Sequence, residues 1–330
     1  IDALFDYVEH AFAGRRRYFT LFGGEPLLPG ASARDAVTFF LAGATRRHTT
    51  TAVVTNGYFV EEYLDVLQDS FIREVQVTLD GTEDLHNRRR PRKDGGPTFE
   101  KIVRGVDQLL AARIPVNLRM VVDRDNLDNL PDLARFAIDR GWTADPLFKT
   151  QLGRNYELHA CQHRATAILS RLELARELAD IIAAHPHVMA FHAPSFHFVR
   201  TLARTGELPD PVFDSCPGCK TEWAFDHLGR IFSCTATVGK PGEELGTFFP
   251  VVQRDEAAIA LWQDRDVLAI ESCRSCAAAL VCGGGCGAVA RNTHGHLHSP
   301  DCRPVADIAA AGFPVYFEED GRVRGKKEED

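Results

Sequence analysis

The feature that most constrains this chain is a concentration of cysteines near its carboxyl end. Eight of the nine cysteines in the 330 residues lie in one stretch, and they are Cys216, Cys219, Cys234, Cys273, Cys276, Cys282, Cys286 and Cys302. Two pairs are separated by two residues, and a run of three glycines precedes Cys286. Thiolates with this spacing on glycine-rich turns predict a metal or iron–sulfur site rather than disulfides. Eight thiolates make two sets of four, the ligand number of both a Cys₄ zinc site and a [4Fe–4S] cluster.

The remaining composition is typical of a globular chain, with 45% hydrophobic and 25% charged residues. A chain of this length can bury a large core in one or two domains. A net charge of −8 offers no general attraction to nucleic acid or anionic lipid, so we expect neither partner. Clustered thiols without the pattern of a signal peptide or a membrane span favour a cytoplasmic location.

The first half of the chain alternates strands and helices. Predicted strands cover residues 18–22, 50–55, 75–79, 116–122 and about 146–149, with helical periodicity before, between and after them. This alternation predicts an α/β fold with a parallel sheet, either doubly wound or barrel-like. A helical pattern at 165–184 follows, residues 313–317 predict a last strand, and a charged tail ends the chain at residue 330.

Polar and glycine-rich segments follow three predicted strands and a charged residue lies on a fourth. They are Gly23-Gly24-Glu25-Pro26, Thr55-Asn56-Gly57, Thr78-Leu79-Asp80-Gly81 and Arg119. Because the carboxyl ends of parallel strands meet at one edge of a sheet, we expect these segments to form one site. Glycines admit close approach of a ligand to the backbone, and a neighbouring carboxylate accepts hydrogen bonds from an ammonium group. The same residue types also make ordinary turns, and an arginine on a strand also suits a solvent-facing position.

Together these motifs resemble the radical S-adenosylmethionine (SAM) enzymes that carry a C-terminal SPASM domain. The segment at Gly23 resembles their GGEP motif, and the cysteine spacing resembles the SPASM signature, with Cys216 as an additional ligand. The resemblance implies a partial (β/α)₆ radical SAM barrel followed by a loop-rich iron–sulfur domain. The implied boundaries are 1–160 for the barrel without its first strand, 161–210 for a helical bridge, 211–312 for the SPASM domain, and 313–330 for a strand and charged tail.

The resemblance also implies ligands for each group. Cofactor contacts are expected from Gly23, Gly24, Glu25, Pro26, Asn56, Thr78, Asp80 and Arg119. One auxiliary [4Fe–4S] cluster is expected on Cys216, Cys219, Cys234 and Cys286, and a second on Cys273, Cys276, Cys282 and Cys302. The family more often has serine where Thr78 stands, and a threonine hydroxyl can serve in its place.

The implied activity is radical SAM-dependent modification of a ribosomally made peptide or protein. A 5′-deoxyadenosyl radical would abstract hydrogen from the substrate, and the auxiliary clusters would assist oxidation, crosslinking or thioether formation. An electron donor of flavodoxin or ferredoxin type is the expected partner. The family's CxxxCxxC loop, which would hold a third, SAM-binding [4Fe–4S] cluster, does not occur in these residues. Since Ile1 falls inside a predicted helix, we expect that loop upstream.

Three alternatives remain open from the sequence. One is oxidation of a cysteine or serine of the kind performed by sulfatase maturases. Another is a non-catalytic scaffold that holds two structural zinc ions, and the third is a cluster-bearing protein without radical chemistry. The catalytic acid or base is unknown, because the sequence does not choose among Asp145, Gln151 and Tyr156. Cys161 fits a small buried residue, and the basic run 88–92 after His86 fits a solvated loop.

Overall fold

The computed structural model describes residues 1–154 and 167–324. The helices are α1 (Asp2–Ala11), α2 (Ala31–Arg46), α3 (Leu64–Gln68), α4 (Glu83–Arg89), α5 (Phe99–Ala111), α6 (Leu130–Asp139), α7 (Arg171–Ala184), α8 (Val188–Phe191), α9 (Val199–Thr205), α10 (Glu256–Gln263), α11 (Glu271–Arg274), α12 (Ala279–Cys282), α13 (Gly287–His294) and α14 (Val305–Tyr316). The strands are β1 (Phe19–Leu21), β2 (Thr51–Thr55), β3 (Ile72–Thr78), β4 (Val116–Val122), β5 (Phe148–Arg154), β6 (Ala224–Phe225), β7 (Arg230–Phe232), β8 (Glu244–Thr247) and β9 (Gln253–Arg254).

The first five strands form one parallel sheet in the order β1-β2-β3-β4-β5. This confirms the predicted α/β fold with a parallel sheet. Each strand pairs with the next one along the chain, as in the wall of a barrel, whereas a doubly wound sheet reverses direction at its switch point. We call residues 1–154 the sheet region.

The two faces of the sheet differ in chemistry. Val53, Val75, Val77, Leu118 and Met120 lie on the face that packs against the helices, and each is at most 1% exposed. The same core continues into α7, α8, α9 and α14, so the bridging helices are part of the sheet's hydrophobic packing. The predicted helix at 165–184 is confirmed over α7; its first two residues lie outside the described residues.

A second, antiparallel sheet in the order β6-β7-β8-β9 lies within the part of the chain that carries the eight cysteines. We call residues 211–304 the cysteine region. Its core is small and includes Cys216, Cys219 and Cys234 with Trp262, and it continues onto Tyr7 of α1. None of the described helices is both long and apolar enough to cross a bilayer.

One expectation on local structure was wrong and a second was correct only in part. Residues 313–316 belong to α14 rather than to a strand, because Ile308, Gly312 and Tyr316 recur every fourth position and are buried against the bridging helices. Phe317 keeps only an isolated bridge to Val323.

The basic run is solvated only in part, with Arg88, Pro91 and Arg92 exposed. Its first part closes α4, and the side chain of Arg89 is 16% exposed because it pairs with buried carboxylates. The sequence alone does not show these partners, since Asp123 is far away along the chain.

Candidate active site and cysteine groups

The glycine-rich loop after β1 is fastened to the end of β2 by Glu25. Its Oε1 accepts hydrogen bonds from the Thr55 hydroxyl (2.6 Å) and the Leu27 amide (2.9 Å), and Oε2 accepts one from the Asn56 amide (2.6 Å). An ionised carboxylate has about four acceptor positions, so one remains for an external donor. Leu27 anchors the loop because its side chain is completely buried in the core.

Gly23 and Gly24 in this loop are exposed, and a Cβ atom on either would meet nothing within 4 Å. Their φ angles lie outside the left-handed region, so neither packing nor backbone conformation demands glycine here. The loop therefore leaves open space along its backbone, into which a ligand fits without clashing. Pro26 follows as a half-buried residue before Leu27.

The inner face of the sheet, opposite the helices, is polar where buried parallel strands are usually apolar on both faces. Strand register places its side chains on one surface, and these are Glu74, Gln76 and Thr78 of β3, Asn117 and Arg119 of β4, and Lys149 and Gln151 of β5. We call this set the polar face. A row of hydrogen-bonding groups on one sheet face suits ligand binding better than core packing.

Hydrogen bonds connect the polar face across three strands. Gln76 Nε2 donates to Gln151 Oε1 (2.7 Å), Asn117 Nδ2 donates to Glu74 Oε1 (3.1 Å), and Lys149 forms an ion pair with Glu74. Arg119 donates one long bond, 3.4 Å, to Gln76 Oε1. Two buried atoms in this set, Arg119 Nε and Asn117 Oδ1, have no partner among the described residues. Buried polar atoms of this kind usually find a partner, so the polar face fits a polar ligand.

Asp80 at the end of β3 is occupied by contacts within the protein. Its Oδ1 accepts from the Val121 amide (2.8 Å) and its Oδ2 from Arg90 Nε (2.7 Å), while Arg89 lies 3.7 Å away. The residue is 2% exposed. These contacts join β3, α4 and β4, so Asp80 has a structural role here; its contact with a cofactor stays a prediction.

His86 on α4 adds to this network. Its Nδ1 accepts from the Asp80 amide (3.0 Å), which leaves the proton on a buried and unpartnered Nε2. Burial is the main cause that lowers the pKa of His86 to about 4, with the nearby Arg90 and Arg89 acting in the same direction and Asp80 against it. The side chain is therefore a neutral structural histidine at physiological pH.

The eight cysteines are free thiols, and the structure brings them together in two groups of four. In the first cysteine group, Cys216 and Cys286 share a hydrogen bond, and Cys219 and Cys234 interact electrostatically with Cys216. In the second cysteine group, Cys273 interacts with Cys276, Cys282 and Cys302. The first group is mostly buried, whereas Cys276 and Cys302 of the second are exposed.

The thiol pKa values reflect this crowding. A hydrogen bond with Cys286 lowers the pKa of Cys216 to about 6, and burial raises the pKa of Cys219 to about 12. Burial also raises the pKa values of Cys234, Cys273 and Cys302. Several thiols that share one small site disfavour each other's ionisation, and a bound cation relieves that repulsion.

The glycine run before Cys286 makes the first group's geometry attainable. Gly283, Gly284 and Gly285 all have φ between 63° and 73°, a region that side chains rarely adopt. A Cβ on Gly283 would lie 2.7 Å from the Ser215 amide nitrogen, and one on Gly285 would clash with the Asp301 carbonyl. The run therefore lets the segments before Cys216 and Cys302 approach the same turn. Cys219 also has a positive φ, 58°, in the first turn.

No three His, Cys, Asp or Glu side chains in residues 1–154 and 167–324 meet as ligands of a single metal ion. Four thiols in each group, free of disulfides, are the type of ligand set that a [4Fe–4S] cluster takes, and those of the first group are mostly buried.

One superfamily model matches part of this chain. Residues 1–137 match the model of the radical SAM superfamily. Proteins of this superfamily use SAM together with a [4Fe–4S] cluster.

Two curated relatives extend the likeness. PqqA peptide cyclase from Ruegeria pomeroyi is 28% identical over 277 residues, which cover 81% of this chain and 68% of that protein. GTP 3′,8-cyclase from Nautilia profundicola is 28% identical over 144 residues, which cover 43% of this chain and 43% of that protein, so the match spans less than half of it.

Solved structures share the fold. Native anSMEcpe with bound AdoMet covers 95% of this chain and 86% of its own, with a TM-score of 0.69 and 16% identity. Native anSMEcpe with bound AdoMet and Cp18Cys peptide aligns with a TM-score of 0.68, also at 16% identity, over 95% of this chain and 88% of its own.

In the segment that matches this superfamily, Glu25 and Asn56 are joined by a direct hydrogen bond, and Thr78 and Arg119 are register partners on neighbouring strands. Sequence reasoning missed most of the polar face. The signal was present, because polar residues alternate with apolar ones within β3, β4 and the start of β5. Gln151, one of three open candidates, belongs to this face, while Asp145 accepts the Leu147 amide and pairs with Arg113 at the opposite end of β5. Tyr156 and Cys161 lie outside the described residues.

Proposed function

We propose that this protein is a radical SAM enzyme that modifies a ribosomally made peptide or protein, with two auxiliary [4Fe–4S] clusters in a SPASM-type domain. The observation that carries the proposal is that a match to the radical SAM superfamily model over residues 1–137 occurs together with two groups of four free thiols. Likeness to a peptide cyclase over 81% of the chain supports a peptide as the substrate class. The fold shared with structures that hold AdoMet and a peptide agrees with it.

The cofactor residues act by binding and orientation. In this proposal the remaining acceptor position of Glu25 receives the ammonium group of SAM, next to the open backbone of Gly23 and Gly24. The guanidinium of Arg119 neutralises the cofactor carboxylate, and the hydroxyl of Thr78 and the amide of Asn56 serve its ribose and carboxylate. SAM bound to a reduced cluster supplies the radical that abstracts hydrogen from the substrate.

The polar face orients the substrate. Gln76, Asn117 and Gln151 present donors and acceptors of the type that a peptide backbone satisfies. We infer that these amides hold the target residue against the cofactor, since placement within about 3.5 Å governs such a transfer. The eight cysteines hold the auxiliary clusters, and a donor of flavodoxin or ferredoxin type supplies electrons.

The decisive assay uses the complete gene product, because no CxxxCxxC triplet occurs in the 330 residues. Anaerobic protein is incubated with SAM, a reductant and the short peptides encoded beside the gene. We expect formation of 5′-deoxyadenosine and a changed peptide mass, mapped by fragmentation. Aldehyde formation at a cysteine or serine, detected by hydrazide labelling, would instead favour the sulfatase-maturase type of oxidation. Zinc without iron or sulfide would support the structural scaffold.

A further inference from the structure

A buried arginine lies among the segments that carry both cysteine groups. Arg265, which follows α10, has a side chain that is 0% exposed. Its guanidinium donates to one carboxylate and four backbone carbonyls: Asp214 Oδ1 (2.8 Å) and the carbonyls of Gly284 (2.8 Å), Gly285 (3.2 Å), Leu297 (2.9 Å) and Ser299 (3.1 Å). Such saturation of all donor directions fixes each segment relative to the others.

Three of these contacts lie next to cysteines of the first cysteine group. Asp214 accepts the Cys216 amide through the same Oδ1 that binds Arg265, at 2.9 Å. The carbonyls of Gly284 and Gly285 belong to the turn that presents Cys286. Arg265 Cδ and Cys216 Sγ also flank the same residue, since a Cβ on Gly287 would lie 3.3 Å and 3.2 Å from them.

Other contacts reach the second cysteine group. The carbonyl of Ser299 lies three residues before Cys302. Arg265 also acts electrostatically on Cys273, whose thiolate it favours. Arg265 therefore connects the backbone segments that carry three cysteines, and its charge acts on a fourth cysteine.

Arg265 belongs to a network with a net positive charge, in which Arg265 and Asp214 are buried and Lys220 is 27% exposed. Asp214 pairs with Arg265 through Oδ1 and with Lys220 through Oδ2 (2.7 Å), and its side chain is 6% exposed. Two cations and one carboxylate leave one positive charge. Charges with little access to solvent are weakly screened, so this charge acts over a longer range than a surface pair.

We propose that Arg265 is a positioning residue shared by the two auxiliary clusters, and that the Lys220–Asp214–Arg265 network raises the reduction potentials of both. This inference rests on the proposed function. A cluster bound by four thiolates gains a negative charge when it is reduced, so a nearby buried positive charge favours the reduced form. Because the network contacts backbone segments of both groups, a change in its charge shifts both potentials in the same direction.

The test compares variants of the anaerobically reconstituted full-length protein. Iron and sulfide are measured first, and the midpoint potential of each auxiliary cluster is then obtained by potentiometric titration followed by electron paramagnetic resonance. Arg265→Gln should move both potentials to more negative values. Arg265→Lys should return them towards wild type while thermal stability stays low, because lysine lacks the planar fork of donors.

Asp214→Asn should move both potentials in the positive direction, since the asparagine keeps an acceptor oxygen for Cys216 and Arg265 but removes the negative charge. Arg230→Gln is the matched control. Arg230 is also an ion-paired arginine of the cysteine region, but its side chain is 30% exposed. It should leave both potentials unchanged.

Iron-loaded Arg265→Gln protein with unchanged potentials, or with only one shifted, would overturn the role of Arg265 while the proposed function stands. If that variant takes up no iron, Asp214→Asn decides, and a shift of both potentials other than positive overturns the inference. Wild-type protein without iron and sulfide would overturn the proposed function together with the inference, so the two failures are distinguishable.

Discussion

Buried polar groups have different partners in the sheet region and in the cysteine region. In the sheet region, Asp80 and Asp123 find arginine partners within the chain, above a continuous hydrophobic core. In the cysteine region, a small core surrounds thiols that form no disulfides among the described residues. Under the proposed function, we expect the sheet region to carry its own stability and the cysteine region to depend on the clusters that its thiols bind.

The largest expected effect is a loss of protection from protease in the cysteine region, but not in the sheet region, when iron is removed. Treating the anaerobic protein with a chelator and an oxidant that destroy iron–sulfur clusters should expose residues 211–304 to protease, while the parallel sheet stays protected. The small core and short helices of the cysteine region supply too little buried apolar area to replace the lost ligand bonds.

Hydrogen exchange followed by mass spectrometry measures both regions in one sample. A Cys282→Ala variant should lose the iron of one cluster only, about four per chain. Cys161→Ser is the matched control, since Cys161 lies outside both groups in the sequence. Equal protection of both regions from hydrogen exchange after cluster removal would contradict the expected dependence of the cysteine region on its clusters.

The next prediction concerns the loss of an ion pair within the sheet region. Asp80→Asn removes the charged partner of Arg90, while Arg89 keeps Asp123, so we expect a loss of about 1–3 kcal/mol in the free energy of unfolding. Urea unfolding gives this value, and faster exchange of the Val121 amide would locate the damage. Asp128→Asn, at an exposed position, is the control. Unchanged stability of Asp80→Asn would contradict the structural role.

A smaller effect concerns the loop at Glu25. Replacing it by glutamine removes the charge that receives an ammonium group, so the affinity for SAM should fall by about 1.5–3 kcal/mol. Iron and sulfide contents should not change, because the cysteine groups lie in the other region. Isothermal titration calorimetry measures the affinity, with Glu62→Gln as the control, since Glu62 binds Lys101 at the surface. Unchanged affinity would remove Glu25 from the site.

The smallest effect at neutral pH is on the pH dependence of the free energy of unfolding. The pKa of His86 is about 4 in the folded protein, below the usual 6.5, because the side chain is buried. Protons therefore bind the unfolded state first, and stability falls as pH drops from about 6.5 towards 4, by at most about 1.4 kcal/mol per unit. Above pH 6.5 this contribution is constant.

His86→Gln should flatten that dependence without abolishing it, because burial also lowers the pKa of His192 to about 4. Denaturation midpoints at pH 7, 6 and 5 give the slope, and His10→Gln at an exposed position is the control. A slope as steep as that of the wild type would show that His86 is not buried in solution.

The sequence by itself determined the strands and helices of the sheet region, because apolar periodicity and turn residues are local signals. It also predicted the strand-end segment at Glu25, since carboxyl ends of parallel strands share one edge. Spacing predicted a metal-binding function for the cysteines. The alternation of polar and apolar residues in β3 and β4 is also a local signal. Only the strand register shows that the polar residues of the two strands share one face.

Only the tertiary structure decided the remainder, because those features depend on residues far apart along the chain. Arg89 is buried since Asp123 pairs with it, and α14 is helical at 313–316 since its apolar side packs on the bridging helices. Cys286 joins Cys216 through a glycine turn whose backbone conformation admits the neighbouring segments. Arg265 links those segments through carbonyl groups, which every residue type carries, so no sequence pattern could identify its partners.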